Sequence, residues 1–236
     1  MSRKLTYRLI PGIILIFLFA SGCSKGKMPG SPSQEPEITN PALLKEAENY
    51  FRMANIAQAE RNHKKAEKLL KKAIELAPDI EKYHFALGHV YDEQCKLDEA
   101  AEEFLAGLEI DPESVRSREA FGMILFEQDK LDLAEEEMKK AIEIDPGYAR
   151  AYETLGNIAL KKGEKKKAET YLLKAIKCDP DLVDAYIRLG TLYIDRRDFS
   201  RGKSILDKAL AVNERLIKKG DVGGHGEESY IRVVMG

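Results

Sequence analysis

Between residues 41 and 219 apolar positions recur at the three-and-four spacing of amphipathic helices, and the whole pattern returns every 34 residues. Counted from residues 47, 81, 115, 149 and 183, the eighth place of each unit reads Ala54, Gly88, Gly122, Gly156 and Gly190. The twentieth reads Ala66, Ala100, Ala134, Ala168 and Gly202, and the twenty-seventh Ala73, Gly107, Ala141, Ala175 and Ala209. Larger apolar residues fill the seventh place (Met53, Leu87, Phe121, Leu155, Leu189) and the twenty-fourth (Leu70, Phe104, Met138, Leu172, Leu206). The two sets predict two helices per unit, joined by a short polar turn such as Gln94-Cys95-Lys96 or Lys162-Gly163-Glu164. Small residues let the helix axes approach, and the bulky ones interlock beside them. The expected architecture is all-α, a run of helical hairpins at 47–80, 81–114, 115–148, 149–182 and 183–216. No hairpin buries both faces by itself, so stability has to come from stacking.

Pro78, Pro112, Pro146 and Pro180 fall at the ends of units. Asp-Pro at 111–112, 145–146 and 179–180 predicts that each proline stops one helix and sits in the first turn of the next. Glu214 replaces the fifth proline, so the last helix is expected to run through Leu216 and Ile217 until Gly220 stops it. Asn40-Pro41 reads as a cap and a first helical residue, which opens the folded domain at 41 and closes it near 219. With this period and its small-small-small-proline pattern, the chain resembles the tetratricopeptide repeat (TPR) family. The resemblance implies a right-handed α-solenoid of about five hairpins, whose first helices line a concave groove that holds an extended or helical peptide.

By the same resemblance the second, fifth, ninth and twelfth places face the groove. The second runs Glu48, Lys82, Arg116, Arg150 and Asp184, cationic in the middle and acidic at both ends. The others contribute Phe51, Asn55, Phe85, His89, Glu119, Met123, Phe126, Glu153, Asn157, Leu160, Ile187, Thr191 and Ile194. Aromatic residues and Met beside Arg and Asn make a protein-recognition surface. The row Lys82, Arg116 and Arg150 suits carboxylates or backbone carbonyls of a bound segment, the alternative being charge that only keeps helix faces soluble. Chaperone-binding members of the family clamp a C-terminal carboxylate with Lys, Asn and Arg. Phe51, Ala86 and Ala120 stand at three of those positions, so that ligand is not expected.

The N-terminal segment carries Arg3, Lys4 and Arg8 without an acid, then an apolar run around Ile13 to Phe19 that is short for a membrane span. Ala20-Ser21-Gly22-Cys23 follows, and residues 1–22 resemble a bacterial lipoprotein signal, with Cys23 acylated as the new N-terminus. Ala20 departs from the usual Leu, and the alternative is an ordinary secretory signal or signal anchor. Ser24, not Asp, resembles the outer-membrane class in Gram-negative bacteria. Each buried acyl methylene contributes about 0.8 kcal/mol, so several chains would hold the protein at an envelope membrane, facing the periplasm. Residues 23–40 read as an acylated cysteine and flexible tether, since 24 to 42 contain four of the nine prolines. Residues 220–236 are glycine-rich, then apolar at Tyr230 to Met235. They are expected to be a flexible tail or to fold back over the last repeat, which shows no obvious polar capping helix in the sequence.

Charge narrows the partners. The chain has 38 Lys and Arg against 40 Asp and Glu, and loss of the leader's three basic residues leaves about −5. A nucleic-acid stripe is not expected on such a chain. The run Lys161-Lys162-Gly163-Glu164-Lys165-Lys166-Lys167 is the exception, readable as a solvated turn or as a contact with anionic lipid, cell wall or an acidic partner. Cys95 and Cys178 lie more than two units apart and are expected to be unpaired thiols. No metal-protease, phosphate-loop or nucleophile-elbow motif occurs. Glu81 and His84 have the spacing of a metal-ligand pair, but a bundle site needs a second copy. His84 occupies the fourth place and reads as packing, and a hidden metal site of Glu81, His84 and His89 is the remote enzymatic alternative. No catalytic residue, cofactor or small-molecule substrate is expected. The sequence therefore reads as a lipid-anchored scaffold that holds a protein or peptide partner in the bacterial envelope. More specific alternatives resemble the pilotin lipoproteins of type IV pilus biogenesis, or envelope TPR lipoproteins that recruit peptidoglycan hydrolases.

Overall fold

The computed structural model describes residues 40–220, which form ten α-helices and no strand among the described residues. They are α1 (Pro41–Ala59), α2 (His63–Leu76), α3 (Glu81–Glu93), α4 (Leu97–Ile110), α5 (Val115–Glu127), α6 (Leu131–Ile144), α7 (Ala149–Lys161), α8 (Lys165–Cys178), α9 (Val183–Asp195) and α10 (Phe199–Lys219). Each odd-numbered helix pairs with the even-numbered one after it, and each pair stacks on the next. Helix α7 also touches α5 and α9, whereas no comparable contact joins successive even-numbered helices. The odd-numbered helices therefore line the inner side of an all-α solenoid. The leader, Cys23, the tether before residue 40 and the tail after Gly220 lie outside the described residues, as do the readings that rest on them.

Small residues set the helix spacing. A Cβ added at Gly88 would lie 2.7 Å from the Phe104 ring, one at Gly156 2.8 Å from Leu172, and one at Gly190 2.7 Å from Leu206. Each glycine thus admits the bulky twenty-fourth-place residue of its own hairpin, and all five of those residues are buried. Gly107 differs, because its nearest neighbour would be the Ser117 hydroxyl at 3.6 Å. Gly88→Ala is expected to destabilise, since overpacking of about 1–3 kcal/mol outweighs a helix-propensity gain of about 1 kcal/mol. Gly107→Ala keeps the gain and should be neutral or stabilising by up to about 1 kcal/mol. Urea denaturation followed by circular dichroism separates the two.

The stacking is continuous. One core cluster joins Ala54 and Leu70 of the first hairpin to Leu87 and Phe104 of the second and Ile124 of the third. Seventh-place residues show what stacking does: Leu87, Leu155 and Leu189 are buried, but Met53 is 40% exposed. Among the described residues no hairpin precedes α1 to cover it, which corrects the reading of Met53 as an equivalent core residue.

The prolines act differently from expectation. Helices α5, α7 and α9 begin three residues after Pro112, Pro146 and Pro180, so each proline lies in the connecting turn and not in the new helix. The preceding aspartate organises that turn: Asp111, Asp145 and Asp179 each accept the backbone N–H two residues on, at 3.1, 2.9 and 2.8 Å. At the entrance, Asn40 accepts the Ala42 N–H and Pro41 opens α1. At the exit, α10 runs through Leu216 and Ile217 to Gly220, whose φ of +83° ends it. The exposed side of α10 carries Arg201, Lys203, Asp207, Lys208, Glu214 and Arg215. The outer side of the fifth hairpin is thus polar, and among the described residues no further helix follows α10.

Candidate partner-binding groove

Among the described residues, two of the concavities lie on the inner surface. The first, about 1080 Å³ at the N-terminal end, is lined by α1 and the start of α3 and gathers Phe51, Asn55 and Lys82. Lys82 lies over the Phe51 ring at 5.1 Å and donates to Glu48 at 2.7 Å. Tyr83 also donates to Glu48, at 3.0 Å. These bonds, that of Lys82 foremost, hold the Glu48 carboxyl below the usual range. The first cation of the predicted row is therefore already neutralised from within.

The second concavity, about 500 Å³, lies between α3, α5 and the start of α7. It brings together Phe85, His89, Arg116, Glu119, Met123 and Arg150, six of the groove residues expected from the sequence. Its floor is aromatic. The His89 ring stands edge-on to Phe85 at 4.6 Å and to Phe104 at 5.3 Å, and burial holds its pKa low, in favour of the neutral ring. The Arg116 guanidinium lies 4.8 Å from the Phe85 ring centre. Tyr148 donates to Glu119 at 2.6 Å, which fixes that carboxylate at the rim. Asp92 and Glu127 complete the lining, and burial raises both carboxyls above the usual range.

The remaining expected residues divide. Phe126 carries Lys161 over its ring at 4.8 Å. Asn157 sits beside Glu153, with its own carbonyl oxygen buried and unpartnered. Glu153 is pushed up to about 7 by burial and by Asp184, against Arg150, Arg188 and a hydrogen bond from Asn157. Ile187 is not a groove residue: it is 5% exposed and packs with Leu206 and Ala209 of α10. Ile194 is half-buried, and a Cβ on Gly202 would meet it at 2.7 Å, so it too supports the last hairpin. Sequence reasoning missed Asp92, Phe104, Glu127 and Tyr148. Asp92 was accessible, since it occupies the twelfth place, and the signal for Tyr148 was only its position ahead of α7.

The metal reading finds Glu81 and His84 committed elsewhere. Glu81 accepts the hydroxyls of Ser114, at 2.8 Å, and Ser117. His84 meets Glu103 at 2.8 Å and the Pro78 carbonyl at 3.0 Å. Among the described residues no group of three or more His, Cys, Asp or Glu is placed to hold a metal ion. His84 is more than packing, because both its ring nitrogens face acceptors that only a protonated imidazole can satisfy. Arg118 repeats the arrangement one hairpin on, donating to Glu137 at 2.7 Å and to Pro112 O at 2.5 Å. Glu103 in particular raises the His84 pKa, so this contribution is complete below the unfolded imidazole value and lost as pH rises through the folded one. His84→Arg is expected to flatten the decline of stability above about pH 6.5. Urea midpoints between pH 6 and pH 9 check it.

The basic run is largely paired. Lys161 reaches Asp129 at 2.8 Å, Lys162 reaches Asp132 and Glu135, and Lys167 reaches Glu164. Cys95 and Cys178 are both exposed and free.

Stacked hairpins with small residues at the helix crossings and a lined inner groove define an α-solenoid binding scaffold. Tetratricopeptide repeat family models match residues 47–80, 81–114 and 125–183, together more than half of the chain. The chain belongs to the tetratricopeptide repeat family. Its fold is similar to that of the MamA protein (23% identity over 74% of this chain and 95% of that one, TM-score 0.60). It is also similar to PilF of Pseudomonas aeruginosa (20%, 82% and 89%, 0.65). A third similar structure is PilW, a widely conserved type IV pilus biogenesis factor (20%, 71% and 78%, 0.65). No curated protein matches the sequence. Tetratricopeptide repeat domains bind protein or peptide partners.

Proposed function

We propose that this protein is a lipid-anchored adaptor of the bacterial cell envelope, which holds a segment of a protein partner in its inner groove and so assembles or localises a complex. The convergence of Phe85, His89, Arg116, Met123 and Arg150 on one concavity carries the reading. Such a cluster, with an aromatic floor and cations at its edge, has the composition of interface hot spots. The anchor rests on Cys23 and the leader sequence, and the envelope location follows from the anchor. Holding, not turnover, is the chemistry this surface offers.

The test uses the full chain cross-linked in its own cells and purified in detergent. Phe85→Ala combined with Arg116→Glu is expected to reduce partner recovery at least about tenfold, with helicity unchanged, since each hot-spot loss is worth about 2 kcal/mol. Undiminished recovery would move binding to another surface. A role in type IV pilus biogenesis is a second reading, favoured by the likeness to PilW across most of both chains. It predicts that deleting the protein leaves the pilus secretin out of the outer membrane. Normal secretin assembly in the deletion strain would remove that reading and leave the adaptor role standing.

A further inference from the structure

The second concavity carries opposite charges on its two rims. Arg116 and Arg150 are the second residues of α5 and α7, whereas Asp92 lies in the last turn of α3 and Glu127 ends α5. Between the second and last residues of such a helix the rise is about 15–17 Å, at 1.5 Å per residue. An α-helix with its side chains is about 10–12 Å across, so it fits between the rims. The floor it would meet is Phe85, His89 and Met123, with Phe104 buried beneath them.

Glu119, beside the cationic rim, is held by the Tyr148 hydroxyl; Arg116, Arg150, Asp92 and Glu127 join no ion pair among the described residues, unlike several neighbouring charges. Lys82 is taken by Glu48, Lys161 by Asp129 and Arg118 by Glu137. Arg116 rests on the Phe85 ring, which leaves its guanidinium edge available to a carboxylate. On the other rim the two carboxyls are partly desolvated, and the Asp92 charge acts unfavourably on Glu127. A basic side chain placed between them relieves both.

We infer that the middle of the groove takes an amphipathic α-helix of a protein partner, with its apolar stripe on the aromatic floor, acidic residues facing Arg116 and Arg150, and Lys or Arg facing Asp92 and Glu127. This rests on the groove reading above and adds the partner's charge pattern and its direction of seating. Opposite borders admit one orientation of the helix and oppose the reverse one. In the N-terminal concavity, by contrast, the groove-row lysine Lys82 is already paired with Glu48.

Three synthetic helical peptides with one Leu and Met stripe test this against the full chain in detergent. One has an acidic and a basic border, one two acidic borders and one two basic borders. The mixed peptide is expected to bind at least about tenfold tighter than either of the others, which is about 1.4 kcal/mol. Arg116→Glu with Arg150→Glu should transfer the preference to the doubly basic peptide. Asp92→Lys with Glu127→Lys should transfer it to the doubly acidic one. Binding of all three peptides with equal strength overturns the inference and leaves the groove reading intact, whereas binding of none defeats both. Removal of residues 221–236 should leave the affinities unchanged. A rise of tenfold or more would make the chain's own tail the occupant and overturn the inference. Self-association that the mixed peptide competes away would do the same, by naming a second copy.

Discussion

Phe104→Ala is expected to lower stability by about 3–5 kcal/mol, the cost of removing a buried aromatic side chain and leaving part of its volume empty. Phe104 is 1% exposed, sits against Gly88 and closes the floor beneath Phe85 and His89. The cluster it belongs to spans the first three hairpins, so the loss weakens two interfaces of the stack, in which each hairpin is held by its neighbours. Phe199→Ala is the contrast, since Phe199 is 64% exposed and its loss should stay within about 0.5 kcal/mol. Urea denaturation measures both. A cost under about 1 kcal/mol at Phe104 would mean that the hairpins are not packed through this ring.

The second large effect concerns the anchor. Exchanging residues 1–23 for a cleavable secretory leader without the cysteine is expected to move the chain from the membrane fraction to the soluble periplasm. Cys23→Ser in the original chain should abolish incorporation of labelled palmitate. The shift should be nearly complete, because several acyl chains at about 0.8 kcal/mol per methylene are the whole of the proposed attachment. Among the described residues no helix is long and apolar enough to cross a membrane. Retention of the exchanged chain in washed membranes would refute lipid anchoring as the means of attachment.

How far the sequence reaches depends on whether a feature is set within one hairpin or between hairpins. The 34-residue spacing places Gly88 opposite Phe104 and Gly156 opposite Leu172, and the structure puts each pair in contact. The loss of the fifth proline foretells the long α10. The burial of Ile187 was not legible: it belongs by periodicity to the groove row, yet it packs with Leu206 and Ala209 of α10, and burial depends on what stands behind a residue as well as on its own helix. Met53 shows the converse, a core place with no hairpin before it among the described residues.

Charge was the least legible. The row Lys82, Arg116 and Arg150 reads as three equal cations, but Glu48, in the same place one repeat earlier, neutralises the first. Asp92 and Glu127 come from different helices and adjacent places, so no single row of the sequence displays them as a rim. The basic run from Lys161 reads as a patch because its partners Asp129, Asp132 and Glu135 lie one repeat back. Pairing across repeats is a property of the stacked array, and the linear order hides it.

The central claim is that the inner groove holds the partner. It is tested most directly by a photo-reactive amino acid placed at Met123, inside the second concavity, and separately at Leu133, 51% exposed on the outer helix of the same hairpin. The account predicts that light joins the partner to the chain at Met123 and not at Leu133, with the linked partner peptide forming an amphipathic helix. Efficient linkage at Leu133 with none at Met123 would contradict it.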